Sequence, residues 1–335
     1  MSRRAPLAGL LAAFAVGCGS DDDGSRRRDA NARVAAVIKG LENPFFATMR
    51  DGLVTTARRH HARLQVDSAA GLDDTAGQAA TLESMAADRD GCYVVNPITG
   101  TNLVRPLGHV PRGTPIVNVD SPVDPAAAKA VRVSITTYIG TDNAAAARIA
   151  ADAMATFVDP GARVAVIAGI PGDATSARRV EGFTRGARGR FEVAQAIPAD
   201  FDRDRARLAA AKLLGSSARP HGFFAVNDEM ALGVAEAVHD AGRRGEVAVI
   251  GMDGIREALG AVRRGAMAAT VAQYPYVMGR YAVEACLAAV AGKSLPARVD
   301  APVQLVTGEN VARAQAKFPR PVERFEDPFA PLLER

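Results

Sequence analysis

Four consecutive residues, Asn43-Pro44-Phe45-Phe46, bring hydrogen-bonding and aromatic groups to one point of the chain. They follow an apolar run, 34–38, that reads as a strand, and they open a helix expected over roughly 44–60. Asn43 suits an N-cap, and Pro44 suits the first helical position, where no backbone N–H is needed. The first turn of a helix also leaves backbone N–H groups unpaired. A core asks for one apolar residue there, whereas Phe45 and Phe46 supply two. Flat aromatic faces beside hydrogen-bonding groups fit a ligand with C–H faces and a hydroxyl perimeter, which describes a sugar. Taken alone, a hydrophobic staple or core anchor explains the run equally well.

The elements that would position such a site alternate regularly. Strands are expected at 33–38, 64–67, 92–96, 115–119 and 131–135, and again at 163–168, 191–196, 222–226, 247–251 and 267–272. Amphipathic helices fill the gaps, among them 75–87, 143–157, 177–189, 203–214, 228–241 and 276–291. Strands alternating with helices of this length predict an α/β protein with parallel sheets and helices on both faces. Two sets of strands predict two doubly wound lobes, with a break near 140–143. The last long helix and a strand near Val303 are left over, so the chain is expected to cross between lobes more than once, in a multi-strand hinge. The expected division is 33–141 with 274–302 for one lobe, and 142–273 with 303–317 for the other. A proline-containing tail, 318–335, reads as a surface appendage.

Composition narrows the class. The chain has 335 residues, 48% of them hydrophobic, enough for two lobes. Its formal charge is 41 − 37 = +4, and without the first 17 residues, which hold Arg3 and Arg4, it is 39 − 37 = +2. Basic residues are interleaved with acids and form no stripe, so no nucleic-acid partner is expected. Residues 1–17 have the form of an export signal: a short basic start, an apolar stretch too short to span a bilayer, and small residues before Cys18. Ala15-Val16-Gly17-Cys18 resembles a bacterial lipobox, which makes Cys18 the expected lipid-attachment residue and 18–32 a polar tether. A plain secretory signal is the alternative. Cys92 and Cys286 lie in apolar strand and helix patterns, where a free cysteine packs as a small hydrophobe; an exported protein also permits a disulfide between them. No spacing matches a metal motif, and no cofactor is expected.

Dispersed segments then point to one family. Asn43-Pro44-Phe45-Phe46 and Val94-Val95-Asn96-Pro97 stand in the first half of the chain. Pro198-Ala199-Asp200-Phe201-Asp202, Asn227-Asp228-Glu229-Met230-Ala231-Leu232-Gly233, Gly251-Met252-Asp253-Gly254 and Ala268-Ala269-Thr270-Val271-Ala272-Gln273 stand in the second. With them, residues 33 to about 306 resemble the periplasmic sugar-binding proteins of the ribose-binding class, substrate-binding components of ABC transporters with the type I periplasmic-binding fold. The resemblance implies ligand contacts at Asn43, Phe45, Phe46, Asn96, Asp120, Arg179, Phe201, Asn227, Asp253 and Gln273. Two positions depart from the ribose-binding pattern. Ser121 stands where it has arginine, and Met252 where it has an aromatic residue, which implies a roomier, less rigid pocket for a sugar other than ribose. Turn and cap chemistry accounts for several of these residues one at a time, and Arg179 could pair with Glu181 on the surface. It does not account for so many falling on one edge of both sheets, where ligands of open α/β sheets bind.

The resulting expectation is an extracytoplasmic, monomeric solute-binding protein that takes a monosaccharide between its lobes and delivers it to a membrane permease. A sensor subunit presenting ligand to a receptor is the nearest alternative. No G-x-S-x-G elbow, phosphate loop or H-E-x-x-H motif points to an enzyme. A sugar-responsive repressor would need a helix-turn-helix where the export signal stands.

Overall fold

The structure is a computed structural model and describes residues 32–217 and 219–334. The expected signal, Cys18 and most of the tether lie outside the described residues. In chain order the first elements are β1 (Arg33–Ile38), α1 (Pro44–Arg59), β2 (Arg63–Ser68), α2 (Thr75–Ala87), β3 (Cys92–Val95), α3 (Val104–Leu107), β4 (Ile116–Val119), α4 (Pro125–Ala130) and β5 (Thr137–Gly140). The second series is α5 (Asn143–Phe157), β6 (Arg163–Ala168), α6 (Ala174–Ala187), β7 (Glu192–Pro198), α7 (Arg203–Leu214), β8 (Gly222–Ala225), α8 (Asp228–Asp240), β9 (Ala248–Asp253), α9 (Arg256–Arg263) and β10 (Ala269–Ala272). The chain ends with α10 (Pro275–Val290), β11 (Arg298–Asp300), β12 (Gln304–Thr307), α11 (Val311–Lys317) and α12 (Ala330–Leu333).

Two six-stranded sheets result, in the orders β11-β5-β4-β3-β1-β2 and β12-β10-β9-β8-β6-β7. Every neighbouring pair is parallel except β10 and β12, which run antiparallel. The central strands are apolar and buried along their length, as strands covered by helices on both faces must be. The backbone passes between the lobes from β5 to α5, from β10 to α10 and from β11 to β12. Helix α10 returns to the first lobe, where it packs against α1 and against β3, β4 and β5. Glycines make the helix pair close: a Cβ on Gly52 would come 2.1 Å from the Tyr276 carbonyl oxygen, and one on Gly279 would come 2.2 Å from that of Met49.

Three expectations need correction. The fifth strand lies at Thr137–Gly140, not 131–135. The whole run alternates, but Arg132 turns the chain with φ 58° and Val131 is exposed, while 137–140 finds partners in β4 and β11. Cys92 and Cys286 are not free thiols packed side by side. They form a disulfide with a Cα–Cα distance of 5.6 Å, within the usual range, which joins α10 to β3. The tail is not a loose surface appendage either, because Phe329 is fully buried against Tyr281.

Candidate ligand-binding site

The carboxyl ends of both sheets face one inter-lobe cavity of about 50 Å³. In the first lobe its residues follow β1 and β4. Asn43 caps α1 by accepting from the Phe45 N–H at 2.9 Å. Phe45 and Phe46 meet edge to face with centroids 5.3 Å apart. Each is almost fully buried and serves both readings at once, core anchor on one side and cavity wall on the other. Asp120 sits just past β4 in a left-handed conformation, φ 60°. Its Oδ2 accepts from Asn96 Nδ2 at 3.0 Å and from Ser121 Oγ at 3.4 Å, and its carbonyl accepts from the Tyr138 hydroxyl at 2.5 Å.

The second lobe contributes a denser network. Arg179 on α6 is buried, and each of its three nitrogens is placed. Nε donates to Asn143 Oδ1 at 2.8 Å, Nη1 to the Val226 carbonyl at 2.6 Å, and Nη2 to Gln273 Oε1 at 3.1 Å. Nη1 also lies 3.6 Å from Asp253 Oδ1, and Gln273 Nε2 donates to that same oxygen at 2.6 Å. Glu181 pairs with Arg178 and Arg185 instead, so Arg179 is not a surface ion-pair residue. Phe201, at φ 61°, faces the cavity from the loop after β7. Gly169 makes room for it, since a Cβ there would stand 2.3 Å from Phe201 Cζ. Asn227 caps α8 by accepting from the Met230 N–H at 2.9 Å, and it also lines the cavity.

Nine of the expected residues therefore line one cavity: Asn43, Phe45, Phe46, Asp120, Ser121, Arg179, Phe201, Asn227 and Asp253. Asn96 and Gln273 are fully buried behind it and orient Asp120, Arg179 and Asp253. Met252 does not line it. It alternates with Asp253 along β9 and is buried in the apolar core, so it is no wall of the site.

Sequence reasoning missed four cavity residues: Lys39, Leu72, Asp173 and Thr175. Lys39 had a signal, a single cation at the carboxyl end of an apolar strand. Its ammonium donates to Ser121 Oγ at 2.7 Å and lies 5.5 Å from the centre of the Phe46 ring. Asp228, in the segment after Asn227, has a role the sequence alone does not reveal. It is buried and holds the turn after β9, accepting from the N–H groups of Gly254 at 2.7 Å and Ile255 at 3.0 Å and from the Thr270 hydroxyl at 2.7 Å.

Burial dominates the electrostatics. It pushes the Asp253 carboxyl well above its ordinary range, against the pull of Arg179, while Asp228 and Asp120 push the same way as burial. It pushes Asp228 up to about 6, against its three hydrogen bonds. It lowers the Lys39 ammonium, which Asp120 and Asp173 partly hold up. Cations Lys39 and Arg179 face carboxylates Asp120, Asp173 and Asp253, so neither sign prevails. Paired donors and acceptors around aromatic walls can hold a neutral polyhydroxyl molecule. Among the described residues no group of three metal-ligating side chains converges, and no helix is long and apolar enough to cross a membrane.

Two parallel α/β lobes, three crossings and a polar cleft with aromatic walls define a two-lobed binding protein for a small solute. Residues 34–294 match the periplasmic binding protein domain, and the chain belongs to that family. The Escherichia coli ribose import binding protein RbsB is 31% identical over 282 residues, 83% of this chain and 91% of that protein. The D-allose-binding periplasmic protein of the same organism is 30% identical over 80% of this chain and 88% of that protein. Among solved structures, an ABC transporter solute-binding protein from Actinobacillus succinogenes with bound D-allose superposes with a TM-score of 0.80 at 27% identity, covering 84% of this chain and 99% of that one. One from Bacillus halodurans with bound myo-inositol gives 0.78 at 25% identity, covering 86% and 98%.

Proposed function

We propose that this chain is the extracytoplasmic binding component of an ABC importer for a monosaccharide. The observation that carries this reading is the pairing of Asp120 from one lobe with Asp253 and Arg179 from the other around a single cavity with aromatic walls. Each carboxylate can accept from two sugar hydroxyls, Arg179 can donate to one, and Asn43 and Asn227 can do both. Phe45, Phe46 and Phe201 cover C–H faces of the ring. Ligand entry requires the lobes to part and binding requires them to meet, so hinge closure near 141–142, 273–274 and 302 delivers a closed, loaded form to the permease.

The site favours a hexose or polyol. Ser121 alone would leave a gap where an arginine fits, but Lys39 fills it with a compact cation that reaches from the end of β1, on the far side of β3. A point charge in place of a planar fork keeps the positive pole and gives up bidentate geometry. Two structural relatives hold D-allose and myo-inositol, a hexose and a polyol. Attachment of the mature chain to the membrane through Cys18 completes the reading; Cys18→Ser would then release the protein into the soluble fraction.

The deciding experiment is mass spectrometry of the small molecule that co-purifies with the protein, followed by calorimetry with a panel of pentoses, hexoses and polyols. One hexose or polyol bound more tightly than every pentose supports the proposal. Binding of no sugar or polyol in the panel rejects it.

A further inference from the structure

Residues 318–333 cross from one lobe to the other outside the three hinge segments. They start on the second lobe, where α11 packs on α9 and the Arg256 guanidinium lies 4.5 Å from the centre of the Phe318 ring. They end on the first. Phe329 packs edge-on to Tyr281 at 5.7 Å, the Tyr281 hydroxyl donates to the Glu326 carbonyl at 3.1 Å, and Arg280 pairs with Asp327 at 2.6 Å. Asp327 also accepts from the Phe329 and Ala330 N–H groups, both at 3.0 Å, so it fixes the last turn while it is held. This anchor is firm, because Tyr281 lies on α10, which the Cys92–Cys286 disulfide fastens to β3.

Between the two anchors the segment lies over the hinge. Phe318 and Pro319 border a small gap lined by Thr48 of α1 on one lobe and by Gly254, Ile255 and Leu259 on the other. Asp253, which lines the ligand cavity, lines this gap too. Phe325 stands 6.4 Å from Tyr274, the residue that enters α10 from β10. Tyr274 is left-handed at φ 55°, a conformation a tyrosine keeps only when its surroundings hold it. Those surroundings are the Phe325 ring and Gln304, whose Oε1 accepts from the Tyr274 hydroxyl at 2.7 Å.

We propose that 318–333 form a strap that ties the lobes together and biases them toward closure before any ligand arrives. The gap under Phe318 and Pro319 is narrow only while α1 and the β9–α9 turn stand close. Parting the lobes widens it and returns apolar surface to water. The strap thus adds to the closed form a set of contacts that the open form lacks. A larger closed fraction in the free protein strengthens apparent affinity, because less of the binding free energy is spent on closure. A tail that only covered α10 would stabilise the first lobe and leave the opening equilibrium alone.

The test needs no ligand, so its outcome is independent of the sugar assignment. Spin labels at Asp73→Cys and Ile170→Cys, which face each other across the cleft mouth, report its width by dipolar spectroscopy. Three labelled proteins are compared: the full chain, the same chain ending after Lys317, and a full-length Asp327→Asn, Phe329→Ser variant that frees only the first-lobe anchor. Both strap variants are expected to move at least a third of the distance distribution from the short to the long population. The point variant decides if the truncated chain loses cooperative unfolding. An unchanged distribution in a cooperatively folded variant overturns the proposal, whatever happens to its melting temperature.

Discussion

The Lys39 ammonium lies 2.7 Å from Ser121 Oγ, and Ser121 Oγ lies 3.4 Å from Asp120 Oδ2. Lys39 and Ser121 stand just past β1 and β4, 82 residues apart in sequence and with β3 between their strands. A cation, a hydroxyl and a carboxylate therefore form a short relay on the first-lobe wall. The serine is what allows it, since a longer side chain at 121 would occupy the space the lysine enters.

Lys39→Met should weaken sugar binding about 10- to 100-fold, the range expected for losing a charge-assisted hydrogen bond. Calorimetry on the identified ligand measures it, with the melting temperature as a check on folding. Lys39→Ser with Ser121→Arg should restore a cation as a fork and shift preference toward ribose. Unchanged affinity in Lys39→Met would remove Lys39 from the site.

The disulfide closes a loop spanning 194 residues, and α10 would otherwise reach its lobe only through a hinge crossing. Cys92→Ser with Cys286→Ser should cost about 2–5 kcal/mol of unfolding free energy, read from urea denaturation. Thiol titration of the denatured, unreduced protein should find neither cysteine reactive.

That bond shows where sequence reading stops. Local pattern places Cys92 in a strand and Cys286 in a helix, and nothing local says that α10 returns to lie on β3. Fold class and most elements were legible because helices Pro44–Arg59, Asn143–Phe157 and Asp228–Asp240 carry apolar periodicity and side-chain caps. The strand at 137–140 was not, because two overlapping alternations compete and only pairing with β4 and β11 chooses between them. Cavity residues at strand ends were legible as a set. Lys39 was missed because its role depends on a serine on another strand, and Met252 was overcalled because a one-residue step along β9 carries a side chain to the opposite face.

Stability should fall as pH rises from about 4.5 to about 7. Burial pushes Glu284 up to about 7, with Asp327 adding to the effect and Arg280 and Arg59 opposing it. Its folded carboxyl holds a proton that the unfolded one has lost, so the folded state binds more protons in that window and loses stability across it. Asp228 and Asp253 contribute with the same sign. Melting temperatures at pH 5 and pH 7.5 should differ in favour of pH 5, and Glu284→Gln should narrow the gap. Greater stability at pH 7.5 would mean that these carboxyls are ionised in the folded protein.

Asp253 is the residue on which the second-lobe half of the site converges. One oxygen, Oδ1, takes the Gln273 amide at 2.6 Å and faces Arg179 Nη1 at 3.6 Å, which leaves Oδ2 for the ligand. Asp253→Asn keeps the shape, but an amide nitrogen placed toward the ligand would meet hydroxyl donors poorly. The substitution should weaken binding by about 2–5 kcal/mol, mainly through faster release. Arg179→Lys should cost a similar amount but for a different reason. A single ammonium cannot reach Asn143, the Val226 carbonyl and Gln273 together, so part of the loss should appear as a lower melting temperature. Calorimetry and stopped-flow release on both variants separate the two causes. Asp253→Asn with native affinity would place the sugar elsewhere in the cleft.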